Sequence, residues 1–327
     1  RDWSVTGVQT CALPILALCL SAEMLTQKGE LDGALAQSKR AAEVLLPLGQ
    51  SMQFAFLQTT LCLIHSYRGD LDTALVHGRL AVELYKRFNN IDRVLRAQLF
   101  VAHVLDRMGS YDDAQAILDE TITSARAVNA SETLAHALTE YGINAHYRKD
   151  YQQAVETHEE VIALSQKLSM GFMVDTAKVN IASSLIELGE YARAERLLLQ
   201  AKAQFESMES DYGIICVTAL MGKGYSLNGE YTKAEQALRQ SIELAEKGQM
   251  TVDWLTGVMY FGLLRYQQQE YESALQLINF VMEHPATENQ VREEASEYHR
   301  KIVLALGQEQ ARQLLIRVDA NGIWRWL

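Results

Sequence analysis

The sequence predicts an all-α fold, a right-handed solenoid of antiparallel helix pairs, and three observations carry that prediction. A turn signature returns at a constant step of forty residues along the 327-residue chain. A small residue stands before each turn, and an alanine follows it at fixed spacing. Only three prolines occur, Pro14, Pro47 and Pro285, so long helices can run almost uninterrupted. A period of about 20 to 50 residues marks repeat architectures, because a unit that cannot bury its own apolar face stacks on copies of itself.

The turns run in order: Gly29-Glu30-Leu31, Gly69-Asp70-Leu71, Gly109-Ser110-Tyr111, Lys149-Asp150-Tyr151, Gly189-Glu190-Tyr191, Gly229-Glu230-Tyr231 and Gln269-Glu270-Tyr271. Five residues past each turn centre stand Ala34, Ala74, Ala114, Ala154, Ala194, Ala234 and Ala274. Seven residues before it stand Ala22, Cys62, Ala102, Gly142, Ala182, Gly222 and Gly262. The expectation is that these small residues oppose the alanines and let paired helices approach closely. In the sixth unit, Tyr212, Ile215, Ala219, Gly222, Tyr225 and Ser226 recur at three- and four-residue steps, a helical stripe. Gly229 then breaks the helix, being free to take the left-handed conformation favoured at a helix C-terminus. Tyr231, Ala234, Leu238, Ser241, Ile242 and Ala245 mark the second helix.

Residues 16–286 therefore read as seven repeats of forty residues, and residues 287–318 as a degenerate capping pair with a charged outer face. In that pair Gly307 stops the first helix, and 310–318 form a shorter second one; 319–327 are a tail rich in tryptophan. The first fifteen residues fit no repeat. The stretch Val5 to Ile15 resembles the translation of a sequencing-adapter oligonucleotide, so 1–15 are set aside as non-native, and the native chain is expected to extend upstream.

Composition narrows the function. The chain is 48% apolar and 22% charged with a net charge of −11, which disfavours non-specific binding to nucleic acid or anionic membranes. No apolar run is long enough to span a bilayer. The four cysteines, Cys11, Cys19, Cys62 and Cys216, form no CxxC pair and read as reduced thiols of a cytoplasmic protein.

The pattern of a small residue, a Gly-Asp/Glu-Tyr turn and an alanine three residues on resembles the tetratricopeptide repeat over residues 16–284. The usual unit has about 34 residues; here it has forty and lacks the closing proline, implying longer helices and short linkers. That variant resembles the MalT-like repeat arms of bacterial signalling ATPases and transcription regulators, as does the closing segment Asn279 to Thr287 with Arg292 to Ala295. The resemblance implies a binding scaffold.

In solenoids of this type the first helix of each unit lines the concave face. Helical periodicity places Arg96, His103, Arg107, His136, Thr139, His146 and Tyr147 there, with Asn180, Ser183 and Lys223 extending the surface. Arginine, histidine and tyrosine gathered on one face suit an acidic or phosphorylated peptide. Scattered surface charge is the plainer explanation of the same residues.

Enzyme motifs are lacking. His158-Glu159-Glu160 has no second histidine four residues on, and Gly222-Lys223-Gly224-Tyr225-Ser226 lacks the spacing of a phosphate loop. His136 and Glu140 share one helical turn, but two residues make no metal site. No G-x-S-x-G appears. The expectation is a non-catalytic protein- or peptide-binding arm of a larger bacterial signalling protein, with no cofactor, no metal, no nucleic acid and no membrane. The alternatives are a freestanding receptor for a small peptide and an enzyme of unrecognised chemistry.

Overall fold

The computed structural model describes residues 15–26, 30–45 and 49–314, all helices and short turns. Gly29, the adapter-like stretch up to Pro14, and the tail 319–327 lie outside the described residues. The helices are α1 (residues 15–26), α2 (Leu31–Leu45), α3 (Met52–Tyr67), α4 (Leu71–Arg87), α5 (Ile91–Arg107), α6 (Tyr111–Ala127), α7 (Ser131–Tyr147) and α8 (Tyr151–Lys167). They continue with α9 (Gly171–Glu187), α10 (Tyr191–Ser207), α11 (Asp211–Leu227), α12 (Tyr231–Lys247), α13 (Thr251–Gln267), α14 (Tyr271–Glu283), α15 (Asn289–Leu306) and α16 (Gln308–Leu314). The described chain is an α-solenoid of helix pairs, as expected from the repeat.

From α4 to α13 every helix has seventeen residues. The unit is longer than usual because both helices are long while both linkers stay at three residues. Each linker turns on one residue in the left-handed region. Within pairs this is Gly69, Gly109, Lys149, Gly189, Gly229 or Gln269; between pairs it is Asn89, Asn129, Ser169, Glu209 or Gln249, after Gly49 at the first junction. At Gly189 the closing bonds run from Gly189 N–H to Ile186 C=O (3.1 Å) and from Glu190 N–H to Leu185 C=O (2.9 Å). At Glu209 the same two bonds go from Glu209 to Glu206 (3.1 Å) and from Ser210 to Phe205 (2.9 Å). Both turns are Schellman closures, so the backbone repeats every twenty residues where the sequence repeats every forty.

The chain divides into two compact units, residues 1–144 and 145–327. In each, odd-numbered helices form one layer and even-numbered helices flank it. Burial shows why. On α12 a single stripe of Ala234, Leu238, Ser241, Ile242 and Ala245 is buried, leaving the opposite face to solvent. On α13 burial runs unbroken from Gly257 to Leu264, because that helix packs on α14, on α12 and on its odd neighbours.

The small-residue columns are buried, the alanines of the second helices at no more than 1% exposure. Ala22 shares a buried cluster with Ala34, Cys62 with Ala74, Ala102 with Ala114 and Ala182 with Ala194, as expected of small residues opposing the alanines, and larger side chains close in beside them. A Cβ on Gly222 would lie 2.4 Å from Leu238, one helical turn beyond Ala234, and a Cβ on Gly262 would lie 3.0 Å from Ile278. The relation inverts in the N-terminal unit, where Gly78 occupies the column of Leu238 and faces the larger Cys62 (3.0 Å to Sγ). Each contact combines one large and one small side chain, which conserves the helix separation.

Ile15, placed by the sequence reading at the end of the non-native segment, is the first described residue of α1 and is fully buried beside Cys19, Ala41, Leu45 and Leu57. In the capping pair Gly307 ends α15 with φ 85°, and the second helix begins at Gln308, earlier than expected; its described part ends at Leu314.

Candidate functional site: the polar face of the odd helices

The residues singled out from sequence fall into two groups, one in each unit. In the N-terminal unit, Arg96 on α5 is half exposed and reaches Asp92 one turn back (3.6 Å) and Glu132 on α7 (3.9 Å). His103 Nδ1 lies 3.4 Å from Glu140, again joining α5 to α7. Burial opposes protonation of His103, but the Glu140 hydrogen bond and charge outweigh it and raise its pKa. Arg107 donates to the Ser66 carbonyl and to Ser66 Oγ (3.1 Å), tying α5 to α3. His136 is exposed, and desolvation together with the Arg96 charge lowers its pKa. Thr139 spends its hydroxyl on the Ala135 carbonyl of its own helix (2.9 Å).

Beneath this surface lies a buried carboxyl group that the sequence reading did not single out. Asp106 is 2% exposed and accepts a 2.6 Å hydrogen bond from Asn144 Nδ2, which also donates to the Tyr111 carbonyl (2.9 Å). Burial pushes its pKa up to about 7; the Asn144 bond opposes the rise and the Glu140 charge adds to it. A signal was present in the sequence. The same register holds Thr26, Ser66, His146, Ile186, Ser226 and Tyr266, so Asp106 is its one carboxylate.

In the C-terminal unit the arrangement is internal. Lys223 is 4% exposed, so it does not extend an open surface as expected from sequence. Its ammonium pairs with Glu187 on α9 (2.6 Å) and Glu294 on α15 (2.7 Å), and lies 5.0 Å from the Tyr260 ring centre on α13. Burial would strip its proton, but Glu294, Tyr260 and Glu187 outweigh it and hold the pKa well above the ordinary lysine value. One lysine thus joins four odd helices, and an additional ion pair, Lys149 to Glu297 (3.5 Å), holds α15 to the α7–α8 turn.

His146 Nδ1 lies 2.9 Å from Ser184 Oγ, with the rings of Tyr147 and Tyr151 edge-on to it. Burial and the Lys223 charge lower its pKa to about 4, leaving it neutral near pH 7. Asn180 does not face outward with these groups. Its amide lies 3.1 Å from His158 Nε2 on the neighbouring even helix. The sequence reading set Glu140 beside His136 on one helix and did not pair Glu140, Glu187 or Glu294 with these cations, because each comes from a different helix than the cation it meets.

Among the described residues no cluster of three or more His, Cys, Asp or Glu side chains is arranged to hold a metal ion. No described helix is long and apolar enough to cross a membrane.

Comparison with known proteins places this geometry. The tetratricopeptide repeat family matches residues 93–167 and 174–247. No curated protein sequence matches the chain. Among solved structures, the apo form of RapI superimposes with a TM-score of 0.65 at 13% identity, over 92% of this chain and 98% of that one. The Rap conjugation gene regulator of plasmid pLS20, solved with the Phr* peptide, gives 0.63 at 14% identity, over 94% and 80%. A signal transduction ATPase with numerous domains and a tetratricopeptide repeat sensor, from Pyrococcus horikoshii, gives 0.58 at 12% identity, over 92% of this chain and 44% of that one. These likenesses establish the fold, an α-solenoid of helix pairs, and the repeat match places tetratricopeptide repeats within residues 93–167 and 174–247.

Proposed function

We propose that the chain is a non-catalytic scaffold that binds a peptide or a protein segment on its odd-helix face, and serves as the sensor or interaction arm of a bacterial cytoplasmic signalling protein. The observation that carries this reading is the half-exposed row of Arg96, His103 and His136 on α5 and α7. These side chains are held by only long or exposed contacts, so a ligand can take them over at little cost. In the C-terminal unit the equivalent groups are already satisfied internally by α15. The Rap regulator solved with a peptide makes an extended peptide the ligand class to test first, and the repeat sensor of the signalling ATPase supports the arm. The forty-residue period fits the MalT-like variant.

The test is capture of partners from a bacterial lysate, and binding of an acidic-peptide library, by the full chain and by the Arg96→Ala/Arg107→Ala variant. The reading expects loss of the captured partner in the variant. Undiminished capture by a folded variant would place the ligand elsewhere.

A further inference from the structure

A second register relation runs through the odd helices. The residue five before each turn centre packs on the residue three before the preceding one. Asn144 bonds Asp106 in this way in the N-terminal unit (2.6 Å), and Ser184 lies 2.9 Å from His146 in the C-terminal one. The five-before column is filled and buried at Ile64, Val104, Asn144, Ser184 and Leu264. At Gly224 it brings no side chain to Ile186.

Packing does not demand that glycine. Two residues earlier, a Cβ on Gly222 would collide with Leu238, but a Cβ on Gly224 would meet only Ile186, at 3.4 Å, an ordinary contact. Mid-helix glycine is among the least favourable helix residues, so its presence without a steric cause needs another account. What it leaves is a cavity of about 380 Å³ between α9, α10 and α11, the size of a small-molecule site. Ile186, Leu198, Leu220 and Met221 line the apolar part.

The polar part is acidic and aromatic. Tyr225 donates its hydroxyl to Glu195 Oε1 at 2.6 Å, and both border the cavity with Glu230. Nearby cations are committed. Lys233 pairs with Glu230 at 2.5 Å and lies 5.2 Å from the Tyr225 ring centre, and Arg193 pairs with Glu159 (2.7 Å) and Glu190 (3.3 Å). Among the described residues the half-buried Glu195 has no ion-pair partner, and it faces space large enough for one.

We propose that this cavity binds a small organic cation, a protonated amine with an aromatic or hydrocarbon body. The ammonium sits on Glu195 beside the Tyr225 hydroxyl, where charge-assisted hydrogen bonding favours it. The body occupies the volume that a side chain at position 224 fills in the other repeats. This site is independent of the odd-helix face proposed for peptides.

Ligand-observed NMR on the full chain tests it with phenethylammonium and with 3-phenylpropionate, which has a similar body and the opposite charge. Phenethylammonium is expected to bind saturably and 3-phenylpropionate not to bind. Gly224→Leu should abolish binding by filling the cavity while circular dichroism and thermal unfolding show a folded chain. Glu195→Gln, which keeps the shape, should weaken binding roughly 10- to 100-fold. Equal binding to Gly224→Leu and wild type, or none to wild type, overturns the site. Equal binding of the two probes, or an unaltered Glu195→Gln, overturns the assignment of a cation.

Discussion

Asp106→Asn should flatten the dependence of stability on pH. In the folded chain the Asp106 carboxyl, 2% exposed and bonded to Asn144, has its pKa raised from 3.8 to about 7. A folded pKa above the unfolded one means that the folded state binds the extra proton between those values. The contribution is whole below about pH 4, falls as pH rises, and is gone beyond about pH 7. At about 1.4 kcal/mol per pH unit the full span amounts to about 4 kcal/mol, and the part between pH 5 and 7 to about 3 kcal/mol. Asparagine keeps an acceptor for Asn144 and carries no charge, so it removes this slope. His103, raised by Glu140 against the effect of burial, titrates in both proteins and largely cancels in the comparison. Urea unfolding followed by circular dichroism at pH 5 and pH 8 measures the effect. Wild type should lose about 2–3 kcal/mol more than the variant over that interval. Parallel losses in the two proteins would show that Asp106 ionises as an ordinary carboxylate, and the burial argument would fail.

Lys223→Met leaves Glu187 and Glu294 facing each other without their cation and should destabilise the C-terminal unit by about 3–5 kcal/mol; adding Glu187→Gln and Glu294→Gln should restore most of it, read by thermal unfolding. Gly222→Ala should cost about 1–3 kcal/mol through its clash with Leu238, and a double-mutant cycle with Leu238→Ala should show strong coupling; additive effects would refute the proposed size pairing. Gln269→Gly should raise stability by roughly 1 kcal/mol, because Gln269 holds φ 65° where an L side chain is strained; a lowered unfolding midpoint would contradict this.

Much of the fold was legible because solenoid packing is local. A residue and its neighbour-unit partner lie about one period apart, so columns read down a forty-residue grid are also columns in space. The turn glycines and the alanine column needed nothing beyond that grid. The inter-pair turns were harder to see, since Asn89, Asn129, Ser169, Glu209 and Gln249 adopt the same backbone as glycine without its signature. The size pairing of Gly222 with Leu238 was also hidden, because the column of small residues does not name the large side chain, one turn beyond the alanine, that closes over it.

The polar face was legible only in its membership. Sequence periodicity put Arg96, His103, His146 and Lys223 on the first helices of their pairs, and no periodicity states which are exposed. Arg96 is half exposed between two carboxylates, whereas Lys223 is sealed by a glutamate from the capping helix seventy-one residues on. The sequence alone determined the repeat, the pairing of helices and the small-residue columns, because these follow from contacts between near neighbours. Tertiary structure decided which charges are free to meet a ligand, where a carboxyl group is forced toward its neutral form, and where Gly224 leaves a cavity. Those properties depend on desolvation and on side chains arriving from several helices at once, and the spacing of residues along one chain does not encode them.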